Sequence, residues 1–297
     1  MPDGDGIHHV VAALRTALVG RAVTRFDGPR VDGPAPTTGR VIERVDCRGR
    51  HVQIVWDDGL ILHSNLRLNG VWHLYREGEP WRRPSAQLRV AITVPGWVAA
   101  CFNAPQVETY REFDRYRHPG FGRSGPDLCS ATADLDECVR RIGAYFDPEA
   151  PIAEVLLDQL VACGVGNVYR SEALWECAIH PLATAGSLPA VVSKQLVTVA
   201  ARMLRANIDP SMWEPVSDTR TPLVVYGRNG QPCERCGDTI EVRRVSEHAR
   251  LLYWCTGCQT RFDPRAVRTV RERPMDPHPA AEKFVAGLPW RRDDLAG

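Results

Sequence analysis

The sequence predicts an α+β protein: an antiparallel β-sandwich with a leading helix, then a helical region, then a small cysteine-bearing hairpin. Three observations carry that prediction. Helix-spaced apolar residues at 7 to 19 give way to short β-branched and aromatic runs as far as about residue 112. Helical periodicity takes over after about residue 132, and two Cys-x-x-Cys pairs follow beyond residue 230. The 297 residues, 44% apolar and 25% charged, match ordinary globular usage and leave room for about two domains, which excludes fibrous, coiled-coil and wholly disordered classes.

The first helix is read from Ile7, Val10, Val11, Leu14 and Leu18. Six strands follow at Val41 to Val45, His51 to Trp56, Leu60 to His63, Val71 to Tyr75, Leu88 to Val94 and Trp97 to Phe102, with Asp57-Asp58-Gly59 and Asn69-Gly70 as turns. Helices are expected over Leu135 to Phe146, Ile152 to Cys163, Val168 to Ala178 and Leu188 to Ile208. These elements set expected units at 1–128, 129–222 and 223–261, followed by a mobile tail over 262–297 rich in Arg, Pro and Asp.

Charge and termini narrow the function classes. Lys and Arg total 37 against 36 acidic residues, so the whole-chain charge of +1 offers no argument for a polyanionic partner, and any basic face must be local. From Arg228 to Arg273 ten Arg stand against six acidic residues, a local net of +4 suited to phosphates, with a solvated charged surface as the alternative. Lys194 and Lys283 are the only lysines, leaving few side-chain amines for Schiff-base chemistry. With no apolar run of about 18 residues and no leader-like start, the expectation is a cytoplasmic, nucleoid-associated chain with no membrane partner.

Cys233-x-x-Cys236 and Cys255-x-x-Cys258, separated by 18 residues, have the spacing of one structural zinc ion, because two tight turns each present two sulfurs to a single tetrahedron. Four thiolates leave no open position, which points to a structural rather than a catalytic ion. Ile240 to Arg244 and Ala249 to Trp254 alternate as a hairpin between the two pairs, with Arg250 near its tip. Cys47, Cys101, Cys129, Cys138, Cys163 and Cys177 lack ligand spacing and read as small buried hydrophobes, while His8, His9 and His118 read as surface or capping residues.

Two further features bear on chemistry. Cys163-Gly164-Val165-Gly166-Asn167 joins two helical patterns through glycines that let backbone N–H groups approach a phosphate at the next helix start, with Asn167 adding a side-chain contact; a plain packing corner is the alternative. Pro2 follows Met1, whose removal exposes a secondary amine with a pKa of about 8, nucleophilic near neutral pH.

Met-Pro-Asp-Gly-Asp at the start, Cys-Arg-Gly-Arg-His at 47–51, Ser-Asn-Leu-Arg-Leu-Asn-Gly-Val-Trp at 64–72 and His-Pro-Gly-Phe-Gly-Arg-Ser-Gly-Pro-Asp at 118–127 occur in that order. With the Gly-Val-Gly-Asn turn, Tyr226-Gly227-Arg228 and the terminal Cys pairs, the series resembles the formamidopyrimidine-DNA glycosylase and endonuclease VIII family over about residues 2 to 261, closer to the endonuclease VIII branch.

The resemblance implies a helix-two-turn-helix domain, a zinc finger, and a monomer that clamps double-stranded damaged DNA, removes oxidised bases (pyrimidines in this branch) and nicks the abasic site. By resemblance Pro2 attacks C1′ of a flipped nucleotide, Asp3 is the acid, and Arg50 and Arg250 complete the catalytic set. Arg123 and Asn167 contact the DNA backbone, Glu172 is a carboxylate beside the turn, and Arg67 and Leu68 fill the gap left by the flipped base, Leu68 as the wedge. Asp3 stands where the family has glutamate, one methylene longer, and Arg50 where it has lysine. Arginine keeps a phosphate contact but does not release its proton near neutral pH. These departures motivate the alternative of a catalytically weakened lesion or abasic-site binder, and a zinc-ribbon RNA module is a third reading.

Overall fold

The computed structural model describes residues 4–67, 69–111, 124–208, 223–245 and 250–264. Helix α1 (Gly4–Leu18) leads into eight strands, β1 (Arg25–Asp27), β2 (Ile42–Arg48), β3 (His51–Trp56), β4 (Leu60–Asn65), β5 (Val71–Arg76), β6 (Leu88–Val94), β7 (Trp97–Phe102) and β8 (Gln106–Arg111). They form two four-stranded antiparallel sheets, ordered β1-β6-β7-β5 and β2-β3-β4-β8. Strand alternation sends Val52, Ile54 and Trp56 of β3 and Leu60 and Leu62 of β4 inward, where they meet Trp72, Val90 and Ile92 of the other sheet and Val11, Leu14 and Leu18 of α1. Each such side chain contributes about 1.5–3 kcal/mol by leaving water.

The boundaries of β3, β6 and β7 are those read from the sequence. Strands β1 and β8 are additions: β1 has three residues, too few to alternate, and β8 was masked by its polar setting, although Val107 and Thr109 turn inward.

The second lobe holds α2 (Leu135–Gly143), α3 (Ile152–Val155), α4 (Asn167–Glu176) and α5 (Ala190–Ile208). Asp134 caps α2 by accepting the Glu137 N–H at 2.9 Å. The helix expected over Ile152 to Cys163 shrinks to four residues because its continuation bonds elsewhere. The Gln159 carbonyl accepts from Gly125 N–H at 2.8 Å, Cys163 N–H donates to Pro126 at 2.8 Å, and Asp158 gathers the N–H groups of Leu160, Val161 and Ala162. Residues 125–128 therefore lie along 159–163 and are tied to the helical lobe.

The hairpin of β9 (Ile240–Val245) and β10 (Arg250–Cys255) packs on this lobe, with Leu252 and Trp254 entering the core of Leu156, Tyr169, Leu174, Leu196 and Leu204. Among the described residues no helix is long and apolar enough to cross a membrane.

Candidate functional site

The four clustered cysteines converge. Their sulfurs all lie within 4.8 Å of one another, with Cys233–Cys258 at 3.7 Å and Cys236–Cys255 at 3.4 Å. A tetrahedron built on Zn–S bonds of about 2.3 Å has edges of about 3.8 Å, so the donor set fits one zinc ion. Trp175 Nε1–H and the Cys258 N–H donate to cluster sulfurs at 3.4 Å each, the outer hydrogen bonds that orient thiolate ligands. The cofactor expected from the spacing therefore has its site, and its role there is structural.

Helix α4 connects that site to the glycine turn. Arg170 Nη2–H donates to the Leu251 carbonyl at 2.7 Å, Tyr253 N–H to Ser171 Oγ at 3.4 Å, and Trp175 reaches Cys233. Helix and β10 thus run side by side in the same sense, which puts Asn167 and Arg250 at the same end.

Glu172 is neither a helix cap nor a surface residue. It is buried, and its two oxygens accept the N–H groups of Val224, Val225 and Tyr226 at 3.0, 3.0 and 2.8 Å. The segment leading to Cys233 is therefore held by a carboxylate projecting from α4.

At its other end α4 begins after Gly166 with no side-chain cap and no acidic residue in its first turn, leaving the positive end of the helix available to an anion. Asn167 Oδ1 and Arg250 Nε are buried without a hydrogen-bond partner among the described residues. Buried polar atoms are normally paired, and a bound phosphate with its waters would supply partners here.

The N-terminal lobe brings its own turn to this place. Arg48 donates to the Ser124 and Gly125 carbonyls at 3.0 and 3.1 Å, and Gly49 N–H to Asp127 Oδ2 at 2.9 Å. Gly49 has φ +55°, and a Cβ there would sit 3.0 Å from the Cys163 sulfur, so only glycine lets the β2–β3 turn meet the Cys163-Gly164 turn. Arg50 follows at once and donates from Nη1 to the Arg67 carbonyl at 2.8 Å. Arg67 is itself at φ +41°, its N–H bonded to Asn65 Oδ1 at 3.2 Å.

Contacts thus join Arg67 to Arg50 and Gly49 to Cys163, four residues before Asn167 at the start of α4. Pro2, Asp3, Leu68 and Arg123 lie outside the described residues, as do the expected tail from 265 on and the tip of the hairpin.

Sequence reasoning missed two groupings. His8 is no plain surface residue: it bonds Asp127 across the lobes at 3.4 Å. Burial works against the Asp127 carboxylate, yet the His8 ring and the Gly49 and Cys129 N–H groups hold its pKa below the usual range. The second grouping is a partly buried hydrogen-bond chain between His51 Nδ1 and His63 Nε2 at 2.8 Å and between His63 Nδ1 and Glu108 at 2.9 Å, starting one residue from Arg50. His63 lies opposite Glu108 in the sheet register, a pairing invisible before the strands are placed. Cys101, Cys138, Cys163 and Cys177 are buried as read, and burial pushes Cys163 and Cys177 up to about 12, so these two stay protonated and inert, whereas Cys47 is only half-buried.

Comparison with known proteins agrees with this architecture. Residues 125–213 match the formamidopyrimidine-DNA glycosylase H2TH domain. The chain is 33% identical over 279 residues to a probable endonuclease 8 2 of Streptomyces coelicolor, covering 92% of this chain and 99% of that protein. It is 35% identical over 268 residues to the DNA-(apurinic or apyrimidinic site) lyase Nei2 of Mycolicibacterium smegmatis, covering 88% and 99%. Among solved structures, the Lactococcus lactis Fpg (MutM) in complex with N7-benzyl-Fapy-dG DNA superimposes with a TM-score of 0.74 at 21% identity, over 88% of this chain and all of that one, a likeness of fold. Sequence identity along nearly the whole length, the helix-two-turn-helix match and the four-cysteine site together make this chain a member of the formamidopyrimidine-DNA glycosylase/endonuclease VIII family of bifunctional glycosylase/AP lyases.

Proposed function

We propose that this base-excision repair enzyme removes oxidised pyrimidines from double-stranded DNA and nicks the abasic site through a Schiff base on Pro2. The observation that carries the reading is the meeting of the Gly49-Arg50 turn with the Cys163-Gly164 turn that leads into the uncapped start of α4, with Arg250 toward the same end of the helix. That junction is a natural place for a kinked phosphate backbone, and the chain's near-lack of lysine leaves the N-terminal amine, once Met1 is removed, as the available nucleophile.

In this reading the Pro2 nitrogen attacks C1′ and the damaged base departs with a proton from Asp3. The C1′–O4′ bond then breaks as the proton on the Pro2 nitrogen passes to O4′, leaving an iminium; loss of the C2′ proton expels the 3′ phosphate, and loss of the C4′ proton in a second elimination releases the 5′ phosphate. Arg50, Arg123, Asn167 and Arg250 grip phosphates, Arg250 also serving the second elimination, while Arg67 and Leu68 occupy the space the flipped base leaves. The working units are the N-terminal sandwich for chemistry, the helical region from about residue 125 for the helix-two-turn-helix grip, where the sequence alone sets the boundary at 128/129, and 223–261 for the zinc finger. The reading is of a monomer associated with the nucleoid.

Borohydride trapping on duplexes carrying an abasic site or an oxidised pyrimidine tests this, with intact mass confirming that Met1 is gone. A covalent protein–DNA adduct is expected. Its absence from correctly processed chain favours a second reading, a lesion binder, which the pairing of a shortened acid at Asp3 with a non-titrating Arg50 supports. Restoring the family residues (Asp3→Glu with Arg50→Lys) then separates weakening from loss, since turnover rises only if the departures limit an otherwise intact site.

A further inference from the structure

The junction of the two lobes holds a second cluster of metal-ligating atoms that the repair chemistry does not use. His8 Nε2 of α1, Asp127 Oδ2 and Cys129 Sγ all lie within 4.8 Å of one another. We propose that these three side chains bind a zinc-class divalent cation at the lobe junction, separate from the four-cysteine ion, with water in the fourth position.

Four features of the geometry support this. The His8–Asp127 separation of 3.4 Å is long for a charge-assisted hydrogen bond, which closes to about 2.7–2.9 Å. It equals the donor-to-donor edge of a tetrahedron with metal–N and metal–O bonds of about 2.0–2.2 Å, about 3.3–3.6 Å. Nitrogen, carboxylate oxygen and thiolate sulfur together form a donor set that suits zinc over magnesium or calcium.

The carboxylate is also pre-oriented from outside, by Gly49 N–H on Oδ2 at 2.9 Å and Cys129 N–H on Oδ1 at 3.0 Å, the outer shell that ligating carboxylates carry. Finally, space beside the donors is kept open. Gly164 has φ +100°, and a Cβ there would stand 3.2 Å from the Cys129 sulfur and 3.5 Å from Asp127 Oδ1.

The His8 side chain retains 18% exposure against 9% for Asp127, so an ion and its water have a route in from the α1 side. The Cys47 thiol also touches the His8 ring but stands outside the group of three, which is why water is assigned the remaining position. Occupancy would join the helix that follows Pro2 to the lobe that grips DNA by a coordinate link, fixing the spacing between nucleophile and phosphate grip.

The test is metal content of the full chain, measured by inductively coupled plasma mass spectrometry after zinc loading and dialysis, alongside cobalt substitution. The unaltered chain is expected to hold two zinc ions and the His8→Phe and Cys129→Ala variants one each, with the four-thiolate cobalt spectrum unchanged in both. One ion in the unaltered chain, or two in either variant, overturns the proposal. Should a variant also lose the four-thiolate spectrum, cobalt titration of the unaltered chain decides. A second equivalent with single-thiolate charge-transfer intensity supports the site, and saturation at one equivalent overturns it.

Discussion

The two sides of the junction are built in different ways. On the N-terminal side, Arg50 and Arg67 sit on turns held by backbone hydrogen bonds and by the close fit of Gly49 against Cys163. On the helical side, Asn167 and Arg250 sit on a helix and a strand cross-bonded to each other, stapled by a four-thiolate site and anchored by the Glu172 carboxylate. On the proposed reading the DNA grip therefore rests on regular structure and a metal site, and the proposed reacting side on turns. Substitution near the chemistry with an intact metal site is the pattern expected when binding is constrained by folding and turnover is not.

The largest expected effect breaks the helical side. Removing the zinc ion by chelation, or Cys236→Ser, takes away most of the free energy that folds the finger, of which structural zinc supplies about 10–16 kcal/mol at neutral pH in isolated fingers. Duplex affinity should fall below detection in a gel-shift assay while the β-sandwich keeps its far-ultraviolet signature. Retained affinity would show that the N-terminal side grips alone.

Glu172→Ala comes next, because it leaves three N–H groups without their charged acceptor. The expected loss is about 3–5 kcal/mol, read as a lower denaturation midpoint and as faster proteolysis near residue 223. Gly49→Ala probes the other side. A φ of +55° and a 3.0 Å approach to Cys163 set a cost of about 1–3 kcal/mol, and trapping yield should drop more than affinity if this turn serves the chemistry. The smallest effect belongs to Arg250→Ala: about 1–2 kcal/mol in duplex affinity, with the slope of log affinity against log salt reduced by about one, and no change in thermal midpoint.

Legibility in the sequence follows the range of the interactions. Strands β3, β6 and β7 were readable because each alternates or runs apolar between turn residues, and the metal site because its ligands come as two local pairs. The expected helix over Ile152 to Cys163 failed because Gly125 and Pro126, some thirty residues earlier, take over its hydrogen bonds, and no local window contains that competition. Glu172 was noticed by resemblance alone, since its partners are fifty residues away, and the His8–Asp127 pair spans 119 residues. Asp127 carried one usable signal, its place after Gly125-Pro126, where a turn aims a short carboxylate back at neighbouring N–H groups.

The Glu172 cradle has a consequence for how the molecule opens. The loop leading to the thiolates and the helix beginning at Asn167 share one buried carboxylate, so neither can detach without stranding the other's charge or its amides. They should open as a single cooperative unit. Amide exchange along α4 and in β10 would then report one common free energy, lower than that of the sandwich core when the ion is withdrawn and rising in step when it returns.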